Sequence, residues 1–222
     1  MKNKSIIVAG SSGLVGSEVL KVLLNDGRTE HIYCVLRRRL ECEQTKLTQL
    51  ISNDLQIQKE QVDIPPTVGV ITLGSTVKKA GSKEKLRDID VNLVVETAKA
   101  MKAIGVSRIF VLSCLGADEK SRSHYLRCKG EMEKEVMQLG FQETIFIQPG
   151  PLAGERSEVR NDEKLLQLVS KLVKPVMKGK WANYVPIQAS TVAMALAKLI
   201  HLEHFQSVER MTSSQMIKII SD

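Results

Sequence analysis

Short apolar runs alternate along the chain with segments in which apolar residues recur every three or four positions. The runs are mostly β-branched or leucine-rich, which is typical of strands buried on both faces of a sheet. We predict strands over residues 6–9, 32–36, 47–51, 68–73, 109–112 and 145–147.

Two of the intervening segments show the spacing of amphipathic helices. One stripe comprises Val15, Val19, Leu20 and Leu23, and the other comprises Val91, Val94, Val95, Ala98 and Met101. Glycines at 27, 105 and 140 mark helix ends. Strands that alternate with helices predict an α/β fold with a doubly wound parallel sheet of the Rossmann type.

The alternation breaks down after Pro149. We therefore expect one domain over residues 1–222, in which residues 151–222 form a small substrate-facing elaboration of helices and one or two short strands. A length of 222 residues suits such a domain.

Composition narrows the classes of partner. The net charge is +7, but the 32 basic residues are interleaved with 25 acidic ones and aromatics are only 4%. This predicts a solvated basic surface and no nucleic-acid partner. No apolar run approaches the ~20 residues that span a bilayer, so we expect no membrane partner. The four cysteines show no paired spacing, and no secretory signal is evident, which favours reduced thiols and a cytoplasmic protein.

A glycine-rich turn joins the first strand to the first helix. Such a turn lets the backbone approach a pyrophosphate, whose charge the helix N-terminus stabilises. The spacing is GxxGxxG, a variant of the dinucleotide-binding fingerprint, and a plain tight turn is the alternative. The predicted cradle comprises Gly10, Ser11, Ser12, Gly13, Leu14, Val15 and Gly16.

The second strand ends at Leu36 and is followed by Arg37, Arg38 and Arg39. At this position an NAD site carries an acid that binds the ribose 2′-hydroxyl. Guanidinium groups pair with a 2′-phosphate in a bidentate way. We therefore predict NADP(H) as the cofactor, with a basic surface loop as the alternative.

Three later strand ends add candidate cofactor contacts, because ligands of open α/β sheets bind at the carboxyl ends of the strands. Asp54 could reach the adenine, small residues after the fourth strand could border the ribose, and a stiff loop after the sixth could bind the carboxamide. Ordinary turns use the same residue types. The residues are Asp54, Leu73, Gly74, Ser75, Thr76, Pro149, Gly150 and Leu152.

A catalytic set follows the fifth strand, which ends at Ser113. Tyr125 and Lys129 are four residues apart and would share one helix face. A nearby ammonium favours the phenolate, so Tyr125 could exchange a proton with a substrate oxygen that Ser113 orients. Lys129 could also hold the ribose hydroxyls. The alternative is an exposed tyrosine beside a surface lysine.

Taken in order, these motifs resemble the short-chain dehydrogenase/reductase superfamily, and within it the atypical branch of Tat-interacting oxidoreductase-like proteins. The resemblance implies a sheet of about seven strands, NADP at the cradle with Arg37 and Arg38 at the 2′-phosphate, and Ser113, Tyr125 and Lys129 as the catalytic triad. Many relatives carry two serines where this chain has Ser113 and Cys114, so the orienting hydroxyl depends on Ser113.

We therefore expect an NADP-dependent oxidoreductase that transfers hydride between nicotinamide and a small-molecule carbonyl or alcohol. The alternatives are a non-catalytic NADP(H)-binding sensor or interaction protein, and an isomerase or dehydratase that uses the cofactor transiently. Exposed helices in such folds often pair, which leaves a homodimer open. His201 and His204 lack a third ligand, so we expect no metal.

Overall fold

Seven parallel strands form the central sheet in the computed structural model, which describes residues 4–153, 183–202 and 206–221. Their order across the sheet is β3-β2-β1-β4-β5-β6-β9, and β7 and β8 form a separate parallel pair. The bounds are β1 Lys4–Ala9, β2 Thr29–Leu36, β3 Leu47–Ile51, β4 Val68–Ile71, β5 Arg108–Leu112, β6 Glu143–Gln148, β7 Leu152–Ala153, β8 Ile187–Gln188 and β9 Val208–Thr212.

Helices cover both faces of this sheet. They are α1 Leu14–Asn25, α2 Val77–Ala80, α3 Lys83–Arg87, α4 Val94–Ala103, α5 His124–Gln138, α6 Ala189–His201 and α7 Ser213–Ser221, with a 3₁₀ turn at Lys59–Gln61 and a π-helical stretch at Asp88–Leu93.

The core has two layers because successive residues of each strand point to opposite faces. Ile6 and Val8 of β1 pack in the layer that contains residues of α1, α6 and α7. Ile7 and Ala9 pack in the other layer, with residues of α4 and α5. Both faces of the sheet are therefore buried, as the continuous apolar runs predicted.

The predicted α/β Rossmann fold is confirmed, and all six predicted strands are present. One difference lies in the C-terminal region. Residues 208–212, which we assigned to a substrate-facing elaboration, pair with β6 as the seventh strand of the main sheet. Helix α6 likewise packs in the core layer beside α1.

The strand order reverses at β1, which pairs with β2 on one side and β4 on the other. In open α/β sheets, the crevice at the carboxyl ends of the strands beside such a reversal is where ligands bind. The turn after β1 and the loop after β4 border this crevice. Within the described ranges, no helix has the length and apolar character to cross a membrane.

Candidate cofactor and active site

The turn after β1 has a conformation that only glycine adopts readily. Gly10 has φ +91°, and an added Cβ would lie 2.7 Å from Thr72 Oγ1 and 2.8 Å from the Leu73 nitrogen. The Gly13 N–H donates to the Gly10 carbonyl at 2.9 Å and closes the turn. Gly10 therefore lets the chain reverse against the loop after β4.

Gly16 allows α1 to lie directly against this turn. A Cβ at Gly16 would overlap the Gly10 carbonyl oxygen and lie 2.5 Å from Thr72 Oγ1. Gly13 precedes the helix as its N-cap, and the first turn of α1 carries no acidic side chain. The first-turn N–H groups and the helix dipole therefore meet no competing negative charge there.

The side chains of the predicted cradle differ in exposure. Ser12 and Gly13 are exposed and Leu14 is half-buried, whereas Ser11 and Val15 are buried. Val15 packs in the core layer beside α1. Ser11 and Val15 can therefore serve a ligand only through their backbone.

Arg37, Arg38 and Arg39 are exposed directly after β2. Among the described residues, none of the three guanidinium groups has a hydrogen-bonding or ionic partner. They therefore place three unneutralised positive charges at the strand end that a dinucleotide site uses to distinguish NAD from NADP.

Asp54 lies on the loop after β3. Its carboxylate accepts a hydrogen bond from the Ser52 hydroxyl at 2.6 Å, and this bond lowers its pKa. Within the described part of the chain, no contact brings Asp54 to the glycine turn. Its role toward adenine stays a prediction.

The loop after β4 is joined to a buried carboxylate that the sequence analysis did not identify. The Ser75 N–H donates to Asp90 Oδ2 at 2.9 Å. Thr76 caps α2 by accepting from the Lys79 N–H. Gly74 is exposed between these two points, which suits a backbone that a ligand approaches closely.

Lys129 lies beneath this loop. Its Nζ is 2.7 Å from Asp90 Oδ1 and 3.4 Å from the Leu112 carbonyl oxygen, at the end of β5. Lys129 is 3% exposed and Asp90 is fully buried. The predicted lysine is therefore at the carboxyl ends of the strands, ion-paired on its inner side.

Tyr125 lies one helical turn before Lys129 and is 36% exposed. Both side chains reach Cys114: the Tyr125 hydroxyl hydrogen-bonds the thiol, and the Lys129 charge acts on it. Burial nevertheless dominates and raises the pKa of the Cys114 thiol to about 11. The structure thus brings Tyr125 and Lys129 together around a half-buried thiol.

The Ser113 hydroxyl is hydrogen-bonded to a side chain of α5. Its hydroxyl donates to Glu133 Oε1 at 2.5 Å, and Ser113 is 4% exposed. Glu133 also accepts from Gln148 Nε2 at 2.7 Å and from Arg210 Nε at 2.9 Å. The predicted role of Ser113 in orienting a substrate oxygen stays a prediction; in this structure its hydroxyl donates to Glu133 on α5.

The loop after β6 is fixed to its neighbours. The Pro149 carbonyl accepts from the Leu115 N–H at 2.9 Å, and the Gly150 N–H donates to Ser213 Oγ at 2.9 Å. Leu152 begins β7. Pro149, Gly150 and Leu152 therefore lie at the carboxyl edge of the sheet, next to the loop that carries Cys114.

Two polar residues of this site were missed, namely Asp90 and Glu133. A signal existed for Glu133, because Tyr125, Lys129 and Glu133 are spaced by four and share one face of α5. No local pattern pointed to Asp90.

The histidines that we considered for metal binding differ in their placement. His201 Nε2 lies 3.4 Å from Asp26 Oδ2, and burial lowers the pKa of His201. His204 lies outside the described residues. The described ranges contain no cluster of three metal-ligating side chains.

Comparisons with solved structures identify the fold. The chain aligns over 98% of its length with a putative NAD-dependent epimerase/dehydratase from Bacillus halodurans, at a TM-score of 0.66 and 17% identity, covering 99% of that chain. The oxidoreductase ylbE from Lactococcus lactis gives a TM-score of 0.65 at 18% identity over 98% of this chain and 97% of that one. MoeE5, solved with UDP-glucuronic acid and NAD, gives 0.67 at 16% identity over 93% of this chain and 75% of that one. The fold is that of the NAD-binding Rossmann oxidoreductases.

Sequence comparison gives the family. The chain is 31% identical over 209 residues to protein fmp52, mitochondrial, of Aspergillus niger, covering 90% of this chain and 89% of that protein. It is 32% identical over 196 residues to FMP52, mitochondrial, of Candida albicans, covering 85% and 84%. The chain belongs to the FMP52 family. No protein-family model matches it.

These relatives correct one expectation. We expected a cytoplasmic protein from the absence of an evident targeting segment, but the curated relatives are named as mitochondrial proteins. The expectation was wrong because composition and cysteine spacing report the redox state of a compartment rather than its address.

Proposed function

We propose that this protein is an NADP-dependent oxidoreductase that transfers hydride between nicotinamide and a small carbonyl or alcohol substrate. The observation that carries the proposal is the placement of Lys129, whose ammonium lies at the end of β5, one helical turn from Tyr125. The glycine turn after β1 borders the same crevice. The resemblance to the Tat-interacting oxidoreductase-like branch supports the NADP cofactor.

The residues of the crevice fit a dinucleotide. A Cβ at Gly10 or Gly16 would clash with Thr72 or with the turn itself, so glycine keeps the turn, α1 and the loop after β4 in close contact at the edge of the crevice. The backbone of Gly10, Ser12, Gly13 and Leu14 would hold the diphosphate, and the loops at 73–76 and 149–152 would border the nicotinamide half. Bound there, the cofactor supplies or accepts the hydride.

Tyr125 is the proposed proton donor in carbonyl reduction and the acceptor in the reverse direction. Its hydroxyl is at the mouth of the site and can exchange a proton with a substrate oxygen. The ammonium of Lys129 stabilises the phenolate that this transfer leaves. Cys114, rather than Ser113, is the side chain beside Tyr125 that could hydrogen-bond the same oxygen.

Cofactor choice is proposed to depend on Arg37 and Arg38. Replacing both with glutamine should weaken NADPH binding at least about tenfold, which corresponds to ~1.4 kcal/mol, because two charge-assisted pairs with the 2′-phosphate are lost. NADH affinity should stay within about twofold, since NADH lacks that phosphate. Calorimetric titration of both cofactors measures the two changes.

The matched control is Lys59→Gln, which removes an exposed positive charge in the 3₁₀ turn at Lys59–Gln61. This variant should leave both affinities unchanged. Equal loss of NADPH and NADH affinity in the double arginine variant would contradict the assignment.

A second candidate is a non-catalytic NADP(H)-binding sensor or interaction protein. The observation that favours it is that Glu133 holds the Ser113 hydroxyl, so a thiol with a raised pKa is the group next to Tyr125. Thiols donate weaker hydrogen bonds than hydroxyls. Tight NADPH binding without oxidation across a broad carbonyl panel would support this candidate over the first.

The names of the FMP52 relatives support a mitochondrial location for this protein. Fractionation of cells that produce the chain under its own promoter should recover it with mitochondria. Recovery in the cytosolic fraction would contradict this location.

A further inference from the structure

We propose that Asp90 is a positioning residue, which holds the Lys129 ammonium and the backbone of the loop after β4 in a fixed relation. The inference rests on the role proposed for Lys129. It concerns a buried carboxylate that is ion-paired with Lys129.

The two oxygens of Asp90 serve different partners. Oδ1 is 2.7 Å from Lys129 Nζ on α5, and Oδ2 accepts from the Ser75 N–H at 2.9 Å. One carboxylate therefore joins three separate parts of the chain: the π-helical stretch, the loop after β4 and α5. Any movement of Lys129 away from Asp90 would leave a fully buried carboxylate with one oxygen unpaired.

Gly74 makes this arrangement possible. A Cβ at this position would lie 3.2 Å from Asp90 Oδ1 and 3.3 Å from Lys129 Nζ. The loop thus passes directly over the ion pair with no side chain between the pair and the crevice. Lys129 is held against the floor of the candidate site.

Asp88 and Asp90 lie in the same stretch but differ in burial. Asp88, two residues earlier, accepts a hydrogen bond from Asn92 and is exposed, whereas Asp90 is fully buried. Both lie in the π-helical stretch, a feature that often occurs at functional sites. Asp88 is therefore a matched control that shares the charge and the local backbone.

The Asp90 carboxylate compensates the charge of the buried Lys129 ammonium. An ammonium that is 3% exposed persists only with a counter-charge, because burial of an uncompensated charge is costly. Without Asp90, the Lys129 ammonium would move toward water, where its charge is solvated. Its stabilisation of a Tyr125 phenolate would then fall.

The reactivity of the Cys114 thiol can show a change at Lys129 without any enzymatic turnover. Four groups act on its thiol: Lys129 and Tyr125 favour the thiolate, while Glu133 and Asp90 oppose it. If Asp90→Asn left Lys129 charged and in place, loss of a nearby negative charge would make the thiol more reactive. If Lys129 moved away, the thiol would become less reactive, because the larger influence of Lys129 is lost.

The test is the rate of iodoacetamide alkylation of Cys114 in the cofactor-free full chain, followed by peptide mass spectrometry between pH 8 and 10. We expect Asp90→Asn to slow alkylation roughly threefold or more, the change in thiolate fraction for half a pKa unit. Lys129→Gln should slow it similarly, and Asp90→Asn in a Lys129→Gln background should cause no further slowing. Asp88→Asn should have no effect. An unchanged or faster rate in Asp90→Asn would overturn the proposal.

Folding is checked separately. If Asp90→Asn does not fold, the proposal expects the double variant Asp90→Asn/Lys129→Gln to fold, because the stranded ammonium is gone. Failure of both to fold would show that Asp90 acts through the fold and not through Lys129, which also overturns the proposal. Alkylation needs neither cofactor nor substrate. A wild-type protein without enzymatic activity would therefore contradict the proposed function, but the alkylation rates would still test the role of Asp90.

Discussion

Replacing Tyr125 with phenylalanine should lower NADPH-dependent carbonyl reduction by about 10²–10⁴-fold, the usual contribution of a positioned general acid. The change removes only the hydroxyl, and the Tyr125 side chain is 36% exposed at the surface of α5, so the fold should persist. NADPH affinity should stay within about twofold, because the phenol contacts the reacting oxygen rather than the diphosphate. Steady-state kinetics and calorimetry on the same preparation measure both quantities.

Tyr33→Phe is the matched control, since the Tyr33 hydroxyl accepts from the Ile64 N–H in the segment before β4, at the opposite edge of the sheet from the site. It should keep turnover close to that of the wild type. Undiminished NADPH oxidation by the Tyr125 variant would remove Tyr125 from the proposed chemistry. A loss that appears only as weaker NADPH binding would also contradict the assignment, because it would assign Tyr125 to the cofactor site.

Gly16→Ala should damage the cofactor site more than any other methyl addition in α1. The new Cβ would overlap the Gly10 carbonyl oxygen and lie 2.5 Å from Thr72 Oγ1, so either α1 or the turn must shift. Overpacking of this kind costs about 1–3 kcal/mol. We expect a lower thermal midpoint and NADPH binding weakened at least about tenfold, because the first-turn N–H groups move from their positions.

Gly27→Ala tests whether this effect is specific. Gly27 follows α1, and a Cβ there meets nothing within 4 Å. Its backbone lies outside the left-handed region, so alanine should leave the thermal midpoint equal or slightly higher. If Gly16→Ala binds NADPH as well as Gly27→Ala does, the turn after β1 is not the diphosphate cradle.

The central strands were predictable because both faces of each are buried. A buried parallel strand must be apolar at consecutive positions, so runs such as residues 6–9 are visible without any partner. The glycine turn was equally visible, because its close approach to Thr72 excludes side chains at Gly10 and Gly16. Both signals come from strict local constraints.

The seventh strand could not be found in the same way. β9 contains Glu209 and Arg210, and among the described strands it lies at the edge of the sheet and pairs with β6 alone. An edge strand needs no continuous apolar run, so it resembles a loop in the sequence. Its pairing is set by tertiary structure.

The burial of the Ser113 side chain could have been predicted from the two-residue period of β5. Ile109 and Val111 pack in the core layer that contains α5, and residues two apart on a strand share a face. Extending the period by one step places Ser113 on the same covered side, where Glu133 accepts its proton. Cys114 follows it and is the residue next to Tyr125. Asp90 gave no such signal, because its partners are 15 and 39 positions away along the chain and only folding brings them together.

The central claim is that the turn after β1 and the N-terminus of α1 hold the diphosphate of a nicotinamide dinucleotide. Calorimetric titration of the purified full-length chain with NADPH and with NADH tests it most directly. The account predicts saturable binding of about one NADPH per chain, tighter than NADH. The absence of measurable binding of both dinucleotides by a folded protein would contradict it.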